Sequence, residues 1–198
     1  MSTNIDNNLS LNDFFVINDF LTNEEEAMLL KLINENKWLD NRDKTRRVQI
    51  SGPFHDSSYK MIPNKFSDHP EFIKELAHKI STYLSTYHTE LFNRTSSKDK
   101  WINNPNQNLE VYINEFLKYQ GLAPHFDHRK GYEELIIGIS LNSDSHITFT
   151  KGKSIAKVPL KKCSMYAMYG DSRNIWKHSI DAKDVLDKRI SITFRTIS

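Results

Sequence analysis

The chain has 198 residues, which is enough to bury the core of one sizeable domain and rarely enough for two. Its 38% hydrophobic and 26% charged residues are typical of a globular protein, and the formal net charge of +2 is too small to indicate a nucleic-acid partner by itself. The single cysteine, Cys163, excludes an intramolecular disulfide, and no run approaches the roughly 18 apolar residues of a membrane span. The polar N-terminus lacks the pattern of a secretory signal, so we expect an intracellular monomer, with cytoplasm and nucleus not distinguished.

Two amphipathic helices are predicted in the N-terminal half. Thr22 followed by Glu25 is a capping-box pattern, and apolar residues at helical spacing continue to about Asn36. Pro70 suits a first helical position, and the apolar face that follows it predicts a second helix to about Leu91. We interpret these helices as support for the rest of the chain and not as an independent domain.

The C-terminal half has a different pattern, which begins after a predicted polar connection at 93–108. Over 109–198, short apolar runs alternate with turn residues at regular intervals, which is typical of a β-sandwich or barrel. We therefore predict a single α+β domain over 1–198. The helices of 1–108 would pack against one sheet of a core built from 109–198.

A candidate metal site begins at His125-Phe126-Asp127. Residues i and i+2 of a strand point to the same face, so His125 and Asp127 can bind one ion while Phe126 packs on the other side. His178 is the best candidate for a third ligand, and two imidazoles with one carboxylate form the facial triad of Fe(II) oxygenases. A structural zinc site would instead need four ligands, commonly thiolates. An isolated HxD is common by chance, and a single histidine is more often structural.

The last predicted strand has a polar face and an apolar face. Arg189, Ser191, Thr193 and Arg195 lie on the first, and Ile190, Ile192 and Phe194 on the second. A buried guanidinium needs an anion, because burying an unpaired charge is costly. A dicarboxylate such as 2-oxoglutarate would supply one carboxylate to each arginine, and bidentate pairing would orient it. The alternative is that both arginines pair with protein carboxylates or reach solvent on an edge strand.

HxD at 125–127, the distal His178 and RxSxTxR at 189–195 together resemble the AlkB family of Fe(II)/2-oxoglutarate-dependent dioxygenases, most closely the branch that includes tRNA-modifying members. The resemblance implies a double-stranded β-helix, or jelly roll, with N-terminal helices and a substrate lid within 1–108. It also implies O₂ as a reactant, and it makes the two histidines and the aspartate the catalytic iron ligands.

The same resemblance assigns roles in a co-substrate pocket. It implies that Arg189 binds the distal carboxylate of 2-oxoglutarate, that Arg195 lies near the carboxylate that chelates iron, and that Asn114 contacts the co-substrate. Phe116 stands where the family often has tyrosine. One hydrogen bond to the co-substrate would then be lost, unless another group such as Tyr119 supplies it.

Two further positions depart from the family pattern. Ser191 replaces the asparagine that is common in the final strand, and it is a shorter polar group in the same pocket. Arg129 stands where the bacterial repair enzymes carry an acidic residue, two positions after the aspartate of HxD. The repair enzymes' mode of base recognition is therefore not expected here.

By resemblance, the substrate is a modified base in RNA or DNA, with RNA slightly favoured, and the reaction is oxidative demethylation or hydroxylation. Arg46, Arg47 and Arg129 are the candidate substrate contacts. Arg46 and Arg47 belong to one of three wider sets of residues. The first basic set is Arg42, Lys44, Arg46 and Arg47, the second basic set is the five lysines Lys151, Lys153, Lys157, Lys161 and Lys162, and the aromatic set is Phe54, Tyr59 and Trp101. Solvated lysines and packed aromatic side chains are at least equally good interpretations of these sets. An oxygenase of a protein side chain or small molecule, and a non-catalytic nucleic-acid-binding module, stay open as alternatives.

Overall fold

The structure is a computed structural model that describes residues 11–40, 46–55, 61–62, 68–96 and 98–198. Within these ranges the helices are α1 (Asn23–Asn34), α2 (Glu71–Tyr87), α3 (Thr89–Thr95), α4 (Lys98–Ile102), α5 (Pro105–Asn108), α6 (Gly170–Asn174) and a 3₁₀ turn at Ala182–Asp184. The strands are β1 (Phe14–Ile17), β2 (Leu39–Asp40), β3 (Arg47–Ser51), β4 (Phe54–His55), β5 (Met61–Ile62), β6 (Leu109–Phe116), β7 (Leu122–His125), β8 (Tyr132–Leu141), β9 (Ser145–Lys151), β10 (Ser154–Leu160), β11 (Ser164–Met168), β12 (Lys177–Ile180) and β13 (Arg189–Ile197). None of the described helices is long and apolar enough to cross a membrane.

Helix α1 begins where the sequence predicts. The Thr22 backbone N–H donates to Glu25 Oε2 (2.8 Å), and the Glu25 N–H donates to Thr22 Oγ1 (3.2 Å), which completes the capping box. The helix ends at Asn34 and buries Leu29 and Ile33. The first helix prediction is therefore confirmed to within two residues at its end.

The second predicted helix is shorter than expected at its C-terminal end. Helix α2 stops at Tyr87, because the backbone of His88 leaves the helical region at φ −136° and ψ 39°. A separate helix, α3, follows, and the predicted end at Leu91 lies inside it. Ile80 and Leu84 are fully buried on the apolar face of α2. The predicted polar connection was also wrong, since it contains α4 and α5.

The strands form two main sheets and a small pair. The larger sheet has the order β1-β11-β8-β13-β6-β3-β2, the smaller sheet has the order β10-β9-β12-β7, and β4 pairs with β5. In the smaller sheet β9 pairs antiparallel with both β10 and β12, and β12 pairs antiparallel with β7. Most sequence neighbours are separated in the sheets, as expected when strands alternate between the two layers of a jelly roll. The α+β prediction is confirmed.

The chain divides into two compact units. The first unit comprises Met1–Gln49, Ile113–Asp127 and Ile137–Ile192, and the second comprises Ile50–Tyr112, His128–Ile136 and Thr193–Ser198. Ile139, Phe149 and Ile190 are fully buried in the first unit, and Ile73 and Phe194 are fully buried in the second. The single domain over 1–198 stays a prediction.

Candidate metal centre and co-substrate pocket

Three metal-binding side chains converge in the first unit. His125 is the last residue of β7, Asp127 follows two positions later, and His178 lies in β12 directly opposite His125 in the strand pairing. One ligand atom from each of the three lies within 4.8 Å of the others. The gap between His178 Nε2 and Asp127 Oδ2 is 3.3 Å, and the two imidazole centroids are 4.3 Å apart. The structure thus brings together all three residues that the sequence singled out.

Local contacts orient these ligands. His125 Nδ1 lies 2.9 Å from the Ala123 carbonyl, so a proton donated there leaves Nε2 with a lone pair for a cation. Asp127 and His178 are buried, and the ring of Phe149 lies 6.5 Å from the ring of His178. Two imidazoles and one carboxylate with open positions beside them are the donor set of non-haem Fe(II) sites. The residues therefore fit that ion.

Arg189 is a buried cation in the same unit. Its side chain is 1% exposed, and its Nη2 donates to Ser140 Oγ at 3.2 Å. Its Nε and Nη1 have no hydrogen-bond partner among the described residues. Burial lowers the pKa of the guanidinium to about 10, since the charged form loses its hydration. Two buried donors on one guanidinium suit a carboxylate, which accepts both at once.

Of the predicted co-substrate residues of β6, Phe116 lies beside this arginine and Asn114 contacts Arg46. Two guanidiniums lie near the ring of Phe116, with Cζ of Arg189 at 5.8 Å and Cζ of Arg46 at 5.9 Å from its centroid. Arg46 Nε donates to Asn114 Oδ1 at 2.9 Å. Arg46 was predicted as a substrate contact, and no sequence signal linked it to Asn114.

Arg195 has a different environment, in the second unit. Its Nη1 lies 3.4 Å from Oε1 of the buried Glu110, and its Cζ lies 5.4 Å from the Tyr112 ring and 5.7 Å from the Tyr132 ring. The Tyr132 hydroxyl donates to Glu110 Oε2 at 2.7 Å, and burial raises the pKa of Tyr132 strongly. A protein carboxylate thus faces Arg195, as the alternative interpretation expects. Its role toward the co-substrate, like that of the buried Ser191, stays a prediction.

The candidate substrate contacts differ in exposure. Arg47 is half-exposed, forms an ion pair with Glu115 at 2.6 Å, and lies over the Trp38 ring at 5.2 Å. Arg129 is exposed between β7 and β8. Both side chains are accessible to a substrate, and their contact with it stays a prediction.

The proposed base-stacking role of Trp101 was wrong. Its indole is fully buried in the second unit, where Nε1 donates to Ser96 Oγ (3.0 Å) and Thr196 Oγ1 (3.1 Å) and the ring stacks on Phe194. Arg42, Lys44, Tyr59 and the side chain of Phe54 lie outside the described residues.

Among the lysines of the second basic set, Lys157 is partly buried and pairs with Asp184 at 2.7 Å. Lys162 lies 3.5 Å from Glu26. Intramolecular carboxylates thus hold two of the five, which supports the interpretation of this set as ordinary solvated or paired lysines.

Comparison with known proteins defines the class of protein. Residues 13–195 match the model of the 2OG-Fe(II) oxygenase superfamily. The chain belongs to this superfamily and is an AlkB-like, Fe(II)- and 2-oxoglutarate-dependent dioxygenase. The resemblance that the motifs implied is therefore confirmed, together with the cofactors Fe(II), 2-oxoglutarate and O₂.

Three curated relatives are similar to this chain over most of its length. It is 34% identical to uncharacterized protein L905 of Acanthamoeba polyphaga mimivirus, over 95% of this chain and 86% of that one. It is 24% identical to the tRNA (carboxymethyluridine(34)-5-O)-methyltransferase alkbh8 of Xenopus tropicalis, over 92% of this chain. It is 25% identical to a DNA N6-methyl adenine demethylase of Caenorhabditis elegans, over 98% of this chain. It spans only 28% of the Xenopus protein and 63% of the Caenorhabditis protein.

Solved structures share the fold at low sequence identity. OsALKBH1 matches with a TM-score of 0.61 and 14% identity, covering 92% of this chain and 96% of that one. A Pseudomonas putida prolyl-4-hydroxylase matches with a TM-score of 0.61 and 10% identity, covering 93% of this chain and 92% of that one. The jelly-roll fold is thereby confirmed, and it is shared by proteins whose names differ in substrate.

Proposed function

We propose that this chain oxidises a C–H bond of a modified base in RNA or DNA, by oxidative demethylation or by hydroxylation. The observation that carries the chemistry is the convergence of His125, Asp127 and His178, whose ligand atoms lie within 4.8 Å of one another. The names of a tRNA-modifying relative and a DNA demethylase support a nucleic-acid substrate. Methyl transfer is not proposed, because the chain spans only 28% of the relative that carries that name.

The geometry supports a proposed role for each residue of the site. His125, Asp127 and His178 would hold the iron, which with 2-oxoglutarate and O₂ supplies the oxidation of the C–H bond. The chain itself would contribute the side chains that bind and orient the co-substrate. Arg189 would bind the distal carboxylate, because its buried Nε and Nη1 need an anionic acceptor. Asn114 would contact the co-substrate with its amide held by Arg46.

Further residue roles belong to the same proposal. Ser191 and Phe116 would line the co-substrate pocket, Arg195 would approach the chelating carboxylate, and Arg46, Arg47 and Arg129 would contact the substrate. Arg47 and Arg129 have the solvent access that a phosphate contact requires. A single catalytic domain, a monomeric state, an intracellular location and a lid within 1–108 also stay predictions.

Succinate formation tests the chemistry directly. Purified chain supplied with Fe(II), ascorbate and 2-oxoglutarate is expected to form succinate, and chelation of iron is expected to abolish it. Methylated single-stranded RNA and DNA should raise the rate and lose their modification, whereas unmodified oligonucleotides should not. Iron-independent succinate formation would contradict the proposed chemistry, and stimulation by none of the oligonucleotides would contradict the proposed substrate.

A protein substrate is the second candidate, because a prolyl-4-hydroxylase matches the fold as well as OsALKBH1 does. Proline-containing peptides in the same assay separate the two. Peptide-stimulated succinate formation with a mass gain of one oxygen on the peptide would favour this candidate over the nucleic-acid one.

A further inference from the structure

Asp13 connects the N-terminal end of the described chain to the segment that leads into the metal ligand His178. Its Oδ2 accepts the backbone N–H of Asp171 at 2.8 Å, and its backbone carbonyl accepts the N–H of Tyr169 at 3.1 Å. The hydroxyl of Ser172 donates to the same carbonyl at 2.6 Å. Asp13 thus makes three hydrogen bonds to the beginning of α6, although Asp171 is 158 positions away in the sequence.

The approach of Asp13 to α6 requires glycine at position 170. Gly170 has φ 48°, which is a left-handed backbone conformation that residues with a side chain rarely adopt. A Cβ atom built on Gly170 would also overlap the carboxylate of Asp13. A side chain at position 170 would therefore displace this carboxylate from the N–H of Asp171.

The segment that Asp13 contacts determines where β12 begins. The carbonyl of Asp171 accepts the N–H of Ile175 at 2.9 Å and the N–H of Trp176 at 3.1 Å. His178 follows Trp176 by two residues and is the second residue of β12. Because Asp171 holds both N–H groups, a shift of Asp171 would move the main chain immediately before the metal ligand.

Phe14, the residue after Asp13, acts on the same ligand through side-chain packing. The rings of Phe14 and Phe149 meet edge to face with centroids 4.9 Å apart, and the Phe149 centroid lies 6.5 Å from that of His178. Phe149 is fully buried, so close packing limits the positions that its ring can adopt. Two adjacent residues therefore restrain His178, Asp13 through the main chain and Phe14 through the ring of Phe149.

We infer that Asp13, with its neighbour Phe14, positions the iron ligand His178. Helix α6 has five residues, and an isolated helix of that length is not stable, so its position depends on contacts such as those of Asp13. Loss of a group that directly orients a metal ligand weakens metal binding by about 10–100-fold. Asp13 acts through a short main-chain segment, so the lower end of that range is expected. The inference rests on the proposed function, because His178 is one of the proposed iron ligands.

Titration of Asp13→Ala with Co(II) in the absence of O₂ tests this role without turnover. The variant loses the acceptor of the Asp171 N–H, so Co(II) should bind about tenfold more weakly and with an altered absorption spectrum, because the imidazole of His178 is held less firmly. Asp13→Asn keeps an oxygen acceptor and should restore the wild-type affinity and spectrum. Phe14→Leu removes the other contact and should also weaken Co(II) binding, which keeps the inference testable if Asp13→Ala does not fold.

Thr22→Ala is the matched control, because it also removes a side-chain acceptor at the beginning of a helix, where Thr22 Oγ1 accepts the Glu25 N–H at 3.2 Å. Both alanine variants should unfold at temperatures a few degrees lower, but Thr22→Ala should bind Co(II) as tightly as wild type. Wild-type Co(II) affinity in Asp13→Ala, or equal weakening in both alanine variants, would overturn the inference and leave the proposed function intact. Failure of the wild-type chain to bind Co(II) would instead overturn the proposed function, so the two failures are distinguishable.

Discussion

His178 lies directly opposite His125 where β12 pairs with β7, and the two imidazole centroids are 4.3 Å apart. Cross-strand neighbours on one face of a sheet have fixed spacing, so the pairing itself holds both rings. Asp127 follows two residues after His125 and reaches within 3.3 Å of His178. Two of the three donors thus lie in paired strands, and the third follows the end of β7 by two residues. Ligands held by strands are expected of a preorganised metal site.

Replacing Arg189 should raise the stability of the chain and weaken its binding of the co-substrate. Arg189→Met removes a buried charge with two unpaired donors, so the chain without co-substrate should unfold at a temperature a few degrees higher. Succinate formation should fall at least 100-fold, because the distal carboxylate loses its cation. Thermal unfolding and turnover assays measure the two effects.

Arg195→Met is the contrasting variant, and its effect on stability should have the opposite sign. Glu110 is buried and would lose the guanidinium that lies 3.4 Å away, so we expect a loss of about 2–4 kcal/mol in the free energy of unfolding. Equal stability changes in the two variants would show that the two arginines have equivalent environments, contrary to the structure.

Arg46 is expected to act on co-substrate binding through Asn114. Arg46→Gln removes the donor to Asn114 Oδ1 and the cation beside Phe116, so the KM for 2-oxoglutarate should rise about tenfold. The neighbouring variant Arg47→Gln breaks an ion pair with Glu115 and should leave this KM unchanged. A larger effect in Arg47→Gln than in Arg46→Gln would contradict the assignment.

His69 should make the second unit less stable at mildly acidic pH. Burial lowers its pKa, and its ring bridges Ser51 Oγ (2.7 Å from Nδ1) and the Leu109 carbonyl (3.0 Å from Nε2). Below about pH 6.5 the unfolded chain binds the proton more readily than the folded one, so stability falls as pH falls toward the folded pKa.

Denaturant unfolding between pH 7.5 and 5 tests this dependence. His69→Asn should be less stable at pH 7.5 and should lose less further stability on acidification than wild type. The exposed His78 on α2 offers the control, and His78→Asn should keep the wild-type dependence. An unchanged pH profile in His69→Asn would refute the prediction.

Tyr119 carries backbone strain that glycine should relieve. It has φ 63° at the third position of a turn closed by Gln120 N–H donating to the Leu117 carbonyl at 2.9 Å. Tyr119→Gly should therefore raise the free energy of unfolding by about 1 kcal/mol. Gly152→Ala is the reverse control, because φ is 60° there and a Cβ meets no atom within 4 Å; it should lower stability by a similar amount.

The sequence motif predicted the metal site well. The motif indicated all three residues that converge, His125, Asp127 and His178. The i, i+2 rule of a strand was not the reason for His125 and Asp127, because β7 ends at His125 and Asp127 lies beyond it. Contacts between residues that are far apart in the sequence could not be predicted. Arg46 meets Asn114 across 68 positions, and Tyr166 approaches Gly138 across strands that are not sequence neighbours, so no periodicity in the sequence marks either contact.

The errors of prediction have physical causes as well. A helical periodicity continues past His88, yet the backbone there leaves the helical region, and this ends α2. Trp101 stands in a polar segment, and its burial depends on Ser96 and Thr196, which satisfy its indole N–H. A hydrophobic pattern cannot show that a lone tryptophan has such partners, since one of them is 95 residues away.

Metal titration tests the central claim most directly. Wild-type chain titrated with Co(II) in the absence of O₂ should bind one ion per chain, with an absorption spectrum that changes when 2-oxoglutarate is added. Asp127→Ala and His178→Ala should lose this binding by at least 100-fold, whereas His146→Ala, outside the triad, should retain it. Co(II) binding of wild-type strength in His178→Ala would contradict the assignment of the metal centre.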